Sequence, residues 1–338
     1  MYRVKSRVVL NTSKMAAFLG LASLPALCGC SSIEVKMGWR VSLAKTPVAS
    51  IVATLPKNPG IAPGEKSPLV VAVTGPGGKV LLTEGQGKGK VLWKDLAVTA
   101  TIVSANKKGV LSLPKDPRVS DGKTGHVVVT VPSHPGITTE LDIRLRYDYA
   151  FKANFSGSSG INGTNGTAGI DGTSGSMGST DPNNPSPGGN GGNGSNGSDG
   201  SNGGDGSDGP PVQVRVTLRP GTHPLLQIGV SSGRKERFYL VDPQGGSLTV
   251  SDSGGSAGSG GKGGRGGRGG SGGIGTPSGS SGSDGSNGSD GRSGSDGRGG
   301  SIAVTYDLQA KPYLATIHLA NPGGPKLVFN EESVAPLW

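Results

Sequence analysis

GSSGINGTNGTAGIDGTSGSMG, residues 157–178, decides how this chain is read: glycine stands at every third position, eight times in eight, and nowhere else in the run. Residues 188–209 repeat the pattern over the same length with three extra glycines off phase, residues 255–273 keep the period, and residues 279–300 hold it eight times in eight again. The other positions are sorted as well. With each triplet written Gly, X, Y, every aspartate of the four runs (Asp171, Asp199, Asp205, Asp208, Asp284, Asp290, Asp296) falls at Y, as do the asparagines from Asn162 to Asn287. Every cation (Lys262, Arg265, Arg268, Arg292, Arg298) falls at X. In a polyproline-II-type helix, with three residues per turn and about 3.1 Å rise, such a run carries three lengthwise stripes and reaches roughly 68 Å. One stripe is bare backbone, one basic or small, one acidic or amide.

Three arrangements can use this pattern. A collagen-like triple helix needs the glycines but leans on frequent proline, and these triplets hold almost none. A flexible linker is the ordinary reading of Gly and Ser tracts, which would leave disordered Gly-rich loops. The third is a bundle of glycine-rich helices packed through their bare stripes, where absent side chains allow close backbone approach. Matched run lengths favour it, with turns at Ser179 to Pro187 and Thr276-Pro277-Ser278. So do the flanks: Phe155 leads into the first pair and Val212 leaves it, while Val250 leads into the second and Ile302 leaves it. The expectation is two inserted hairpins. The first pair carries only acids and the second all five cations, so charge is expected to select the docking partner, at about 0 to 1 kcal/mol per exposed pair.

Around the runs the chain reads as all-β. Leu69 to Val73, the turn Gly75-Pro76-Gly77-Gly78 and Lys79 to Leu82 form a hairpin signal. Val98, Ala100 and Ile102, then His126 to Val131, then Leu141 to Tyr149 alternate with period two, one face buried and the other wet. After the first insertion come Val212 to Leu218, Leu225 to Val230, Phe238 to Val241 and Ser247 to Val250; after the second, Ile302 to Leu308, Ala315 to Leu319 and Lys326 to Phe329. Turns such as Asp242-Pro243-Gln244-Gly245 suggest a compact antiparallel sheet for this part.

The N-terminus carries Arg3, Lys5, Arg7 and Lys14, an apolar run from Met15 to Leu27, and Cys28-Gly29-Cys30. That order is an export signal, and the run is short of the roughly 20 residues that span a bilayer. Leu27-Cys28-Gly29-Cys30 resembles the lipobox of bacterial lipoproteins, which implies cleavage before Cys30, acylation of its thiol, and a membrane anchor through the lipid. Ser31 and Ser32, with no aspartate after the cysteine, imply the outer membrane by the same resemblance. Cleavage removes Cys28, so no disulfide pair remains. The formal charge of +10 loses four cations with the signal and falls to +6. No clustered basic face with interleaved aromatics is visible, so nucleic acid is not an expected partner.

The expected organisation is a signal at 1–29, a tether at 30–58 with a strand candidate at Val48 to Leu55, a β module at 59–155, a Gly-rich insertion at 156–211, a second β module at 212–252 and 301–338, and a second insertion at 253–300. The first β module resembles a bacterial immunoglobulin-like sandwich without the disulfide. The tracts resemble the glycine-rich bundles of snow-flea antifreeze proteins and of certain phage tail adhesins, and the collagen-like tracts of bacterial surface proteins. The whole layout resembles the Gly-rich lipoproteins of myxobacteria, a resemblance that implies an architecture and no activity.

Catalytic and metal chemistry are not expected. Gly122-Lys123-Thr124 resembles the end of a phosphate-binding loop, but Pro117 stands where its first glycine belongs. Ser256 and Ser271 sit in Gly-x-Ser-x-Gly, the nucleophile-elbow pattern, without a strand-to-helix transition around them. His126, His134, His223 and His318 lack metal-ligand spacing. Successive Y aspartates lie about 9 Å apart along a run, too far for one calcium with ligands at about 2.3 to 2.6 Å. No cofactor is implied. The expected function is a non-catalytic, surface-exposed envelope lipoprotein, structural or adhesive, whose partners are an extracellular polymer such as a glycan or other envelope proteins. The alternatives are an ice- or crystal-binding protein, supported by the stripes near Thr164 and Thr167, and a collagen-like surface protein.

Overall fold

The computed structural model describes residues 34–219, 221 and 223–338. The segment read as an export signal, with Cys30, lies outside the described residues. The described residues are 31% strand and 8% helical, which makes this a β protein; apart from a short α-helical stretch at residues 34–36, the helical residues are 3-10 turns, the longest at Leu308–Thr316.

Two hydrophobic cores organise the strands. The first is enclosed by three small sheets. β1 (Ser50–Thr54), β4 (Val70–Thr74) and β5 (Val80–Leu82) are antiparallel. β2 (Gly60–Ile61), β10 (Thr138–Leu145), β9 (Gly125–Thr130) and β6 (Ala97–Thr101) form the second sheet in that order. β3 (Lys66–Pro68), β8 (Val110–Ser112) and β7 (Ser104–Ala105) form the third. The period-two alternation read from the sequence puts Ile51, Val71, Val73, Val127, Val129 and Ile143 into this core. The hairpin at β4 and β5 forms as expected. Leu43 and Ile51 are buried here, so the segment read as a tether up to residue 58 contributes β1 and a 3-10 turn to the fold. The strand candidate at Val48 to Leu55 forms as β1; what the local sequence does not show is its partner β4, some twenty residues away, which makes it part of the fold and not of a tether.

The second core lies between a sheet of β11 (Ala150–Ser156), β15 (Ser247–Ser253) and β17 (Ile317–Ala320) and a sheet of β14 (Lys235–Val241), β13 (Leu225–Ser232), β12 (Val212–Arg219), β16 (Ile302–Tyr306) and β18 (Val328–Glu331). β11, read as the last strand of the first module, therefore belongs to the second. Its alternation shows that it is half-buried, not which sheet receives it. The second unit is also not antiparallel throughout: β11, β15 and β17 run parallel, as do β12, β16 and β18. The insertions cause this. β11 and β15 both lead into Gly-rich pairs and β12 and β16 both return from them, so like directions lie side by side.

Salt bridges and rings join the two cores. Glu65 accepts from the Ala62 N–H at 2.9 Å and from Arg146 Nη2 at 3.0 and 3.1 Å. Arg219 pairs with Asp121 at 3.0 Å, and the Trp338 indole donates to the same carboxylate at 2.9 Å.

Candidate functional surface: the glycine-rich rod

The four runs lie side by side and are hydrogen-bonded through their backbones. Gly157, Gly160 and every third glycine to Gly178 donate to carbonyls from Ser253 to Ile274. Gly188 to Gly209 donate likewise to Pro277 through Arg298, Gly255 to Gly273 to the second run, and Gly279 to Gly297 to the third. The second run adds donors at its X positions, from Gly189 to Ser207, to carbonyls of the first. These bonds are 2.7 to 3.0 Å long, good geometry for N–H···O. A contact that recurs every three residues along a straight neighbour requires one turn per three residues, the threefold extended helix of polyproline-II type.

The rod continues the sheets beneath it. β11 and β15 pair with a residue offset of 97, as in Ala150 with Ser247, and the same offset sets the bond from the Ser259 N–H to the Asn162 Oδ1. β12 and β16 pair with an offset of 90, as in Val212 with Ile302, and so do Ser280 and Asn190. First and third runs are thus parallel, second and fourth are parallel, and each hairpin is antiparallel within itself. The offset falls from 97 to 90 because the first turn is the longer.

The second and third runs each touch all three others, whereas the first and fourth do not touch each other through any backbone bond among the described residues. The third run is the most enclosed, with Gly255, Gly258, Gly261, Gly264, Gly267, Gly270 and Gly273 buried. A side chain at Gly264 would collide with the Thr167 carbonyl of the first run, and one at Gly263 with the Gly288 carbonyl of the fourth. Hence glycine fills two of three places in GKGGRGGRGGSGG, residues 261–273. The off-phase glycines of the second run, at 189, 192 and 204, lie against Ser176, Thr173 and Ile161 of the first.

The Y stripe is structural. All fourteen Asp and Asn residues at Y accept a backbone N–H from a neighbouring run through Oδ1. They cap the donors that glycine contacts leave open, since a third of the backbone amides would otherwise face outward. The expected ion pairing between the two hairpins does not form: among the described residues no salt bridge links the runs. The acids hold backbone amides, and the cations project outward at exposed X positions.

Two outer faces result. On one, the third run presents Ser259, Lys262, Arg265 and Arg268, flanked by Asn165 and Asp171 of the first run and Asp284, Asn287 and Asp290 of the fourth. On the other, Ile161, Thr164, Thr167, Ile170 and Thr173 of the first run stand in line beside Gly204, Ser201, Ser198, Ser195 and Gly192 of the second. Ile161 and Ile170 are 83% and 79% exposed, and the Thr164 and Thr167 hydroxyls meet Ser201 and Ser198 at 3.1 and 3.0 Å.

At the root of the rod Asp252 is fully buried, and neither carboxylate oxygen has a hydrogen-bond partner. Gly209 and Gly300 close over it, and any side chain at either would strike the carboxylate. Burial raises its pKa from the ordinary 3.8, opposed only in part by the neighbouring Gly300 N–H, whose approach falls short of a well-formed hydrogen bond. Nothing in the sequence marks this aspartate, which stands in a strand at an inward position after Leu248 and Val250.

The other candidate residues are placed apart. Ser256 Oγ donates to Ser159 Oγ at 3.1 Å within the rod, and the Ser271 carbonyl accepts from Gly175. Gly122 holds φ +70° in a turn, with Lys123 Nζ on the Val119 carbonyl. His126 meets Asp142 at 2.8 Å, His223 meets Asp242 at 2.9 Å, His134 meets Ser133, and His318 lies in β17. Among the described residues there is no group of three or more His, Cys, Asp or Glu suited to a metal ion, and no helix long and apolar enough to cross a membrane. Against known proteins, no family model, no curated protein and no solved structure matches the chain.

Proposed function

We propose that the protein is a non-catalytic lipoprotein of the cell envelope, acylated at Cys30 and displayed from the outer membrane, whose β units hold out a stiff glycine-rich rod for adhesion or envelope architecture. The observation that carries the reading is the rod. Four runs cross-bonded at every third residue resist bending far better than a Gly/Ser linker, and their polar side chains are spent on backbone amides instead of on a reaction centre. The register shared by strands and runs transmits that stiffness to the folded base. The first unit, with alternating strands around one core and no disulfide, fits an immunoglobulin-like sandwich. The layout remains similar to Gly-rich lipoproteins of myxobacterial type. Metabolic labelling with a palmitate analogue tests the anchor, with label expected on the wild type and lost in Cys30→Ser. Protease added to intact cells tests display: a protein cut only after permeabilisation faces the periplasm and ends the adhesive reading.

A second reading, binding to ice or another crystal, draws on the uncharged line of Ile161, Thr164, Thr167, Ile170 and Thr173, exposed at a regular pitch of about 9 Å. Purified protein that leaves ice growth and melting unchanged removes it, and Thr167→Lys abolishing an effect supports it.

A further inference from the structure

The second β unit has an open side. β11 and β14 are the edge strands of its two sheets and lie on the same side of the core, and a groove of about 660 Å³ opens between them and the first unit. That volume is within the range of about 300 to 1,000 Å³ of sites that hold small organic ligands. Its floor is aromatic. Tyr149 packs edge-on against Phe151 at 5.2 Å between ring centroids, and Phe151 lies 5.9 Å from Tyr239. Tyr149 and Tyr239 are half-buried, so each keeps ring surface toward the groove.

The charges of the rim are unequally matched. Both acids that line it are already paired, Asp116 with Arg118 at 2.7 Å and Glu236 with Arg215 at 2.6 Å. The cations Lys115, Lys152 and Arg237 line the same groove and form no ion pair among the described residues. Arg237 lies over the Phe155 ring at 5.2 Å and shares a side-chain hydrogen bond with the Tyr239 hydroxyl; a guanidinium carries five N–H donors, so one such bond leaves others for a ligand. The groove therefore combines exposed aromatic faces with uncompensated positive charge.

We propose that this groove binds a carboxylate-bearing oligosaccharide, which deepens the envelope reading above by naming the class of polymer and rests on it for biological setting only. The C–H faces of a pyranose ring carry partial positive charge and pack on the negative faces of Tyr149 and Tyr239. The uronate carboxylates pair with Lys152, Lys115 and the Arg237 fork. Addition of a peptide strand to either edge is disfavoured by the same geometry. The Tyr239 hydroxyl already reaches the Lys152 carbonyl of β11 at 3.4 Å, and Lys235, Glu236 and Arg237 blunt β14.

The test is calorimetric titration of the mature chain carrying Cys30→Ser with two uronate probes, alginate and polygalacturonate oligosaccharides, and with their carboxyl-reduced counterparts. Binding of at least one uronate is expected, with little for the reduced sugars. Lys152→Glu, on an exposed side chain, is expected to weaken it about tenfold or more, through loss of a charge-assisted hydrogen bond to the carboxylate. Tyr239→Ala is expected to weaken both its own binding and any residual binding of reduced sugars, and retained melting behaviour would show that it folds. Lys262→Glu, on the rod, is expected to bind like the wild type. Absence of binding to both uronates overturns the proposal, as does equal loss in Lys262→Glu and Lys152→Glu, which would mark diffuse charge attraction. Binding of an acidic peptide with new amide protection along β11 and no uronate binding overturns it in favour of strand addition. None of these outcomes depends on acylation or surface display, which the labelling and protease experiments test separately.

Discussion

Gly264→Ala is the sharpest perturbation of the rod. Gly264 is buried in the third run; its N–H donates to the Ser198 carbonyl at 2.8 Å and its carbonyl accepts from Gly288 at 2.8 Å. The added methyl would sit inside the radius of the Thr167 carbonyl oxygen and carbon, both backbone atoms that no rotamer change can clear. Restoring an ordinary contact of about 3.5 to 4 Å forces the first run away by more than about 1 Å. The bonds on either side of that point, Gly166 to Lys262 at 2.7 Å and Gly169 to Arg265 at 2.8 Å, then stretch beyond hydrogen-bond range. Two lost bonds at about 0.5 to 1.5 kcal/mol each amount to about 1 to 3 kcal/mol of local stability, more if the freed amides stay buried. Ser289→Ala is the control, since Ser289 takes part in the rod through its N–H and carbonyl alone and its side chain is exposed. Amide hydrogen exchange read by peptide, across residues 157–178 and 255–273, should show faster exchange in Gly264→Ala by one to two orders of magnitude and no change in Ser289→Ala, by the tenfold per 1.4 kcal/mol conversion. Wild-type protection in Gly264→Ala would refute the close packing of these runs.

Three further outcomes follow from particular contacts. Simultaneous Asp199→Asn, Asp205→Asn and Asp208→Asn should leave melting unchanged, because an amide Oδ1 accepts the same N–H bonds from Ser289, Ser295 and Arg298, whereas the three alanine substitutions should lower it; a calcium-dependent melt lost in the Asn variant would contradict the structural role. Asp252 has a folded-state pKa above the ordinary 3.8, so the unfolded chain releases its proton first and stability falls as pH rises from 3.8 through the raised value. Asp252→Asn should therefore melt higher than the wild type at pH 7 and flatten that part of the pH profile, and a lower melting temperature at pH 7 would show that the charge is compensated. Glu65→Ala leaves the Ala62 N–H and the partly buried Arg146 without their carboxylate and should lower stability by about 1.5 to 3 kcal/mol, read as the midpoint of urea unfolding; an unmoved midpoint would show that the pair does not join the cores.

Much of this protein is written locally. A glycine at every third residue specifies a threefold helix with one bare side, because only that geometry brings residues i, i+3 and i+6 to one line. Sorting of Asp and Asn into Y and cations into X was likewise visible, and so was alternation in segments such as Val212 to Leu218. Period two and period three are properties of the chain itself, independent of its neighbours. Matched run lengths, three of the four identical, between strand candidates also point to hairpins side by side.

The partners of each stripe were decided by the tertiary structure. Charge suggested that acids and cations meet across the hairpins, but a carboxylate beside an unpaired backbone amide in a close-packed rod is better used as its acceptor, and all seven aspartates of the runs serve that way. The doubled glycines of residues 261–273 were a legible sign of an enclosed run, intelligible once its three neighbours are known. Ala150 to Ser156 alternates equally well in either sheet, and only its pairing with Ser247 to Ser253 assigns it. Tyr149, Tyr239, Lys152 and Lys115 are scattered along the chain and acquire a common groove only when β11 and β14 become edges. A sequence fixes what each segment can present, by its period and side chains; long-range pairing fixes to what, because the hydrogen-bond and packing partners lie up to 217 residues away and local chemistry cannot choose among them.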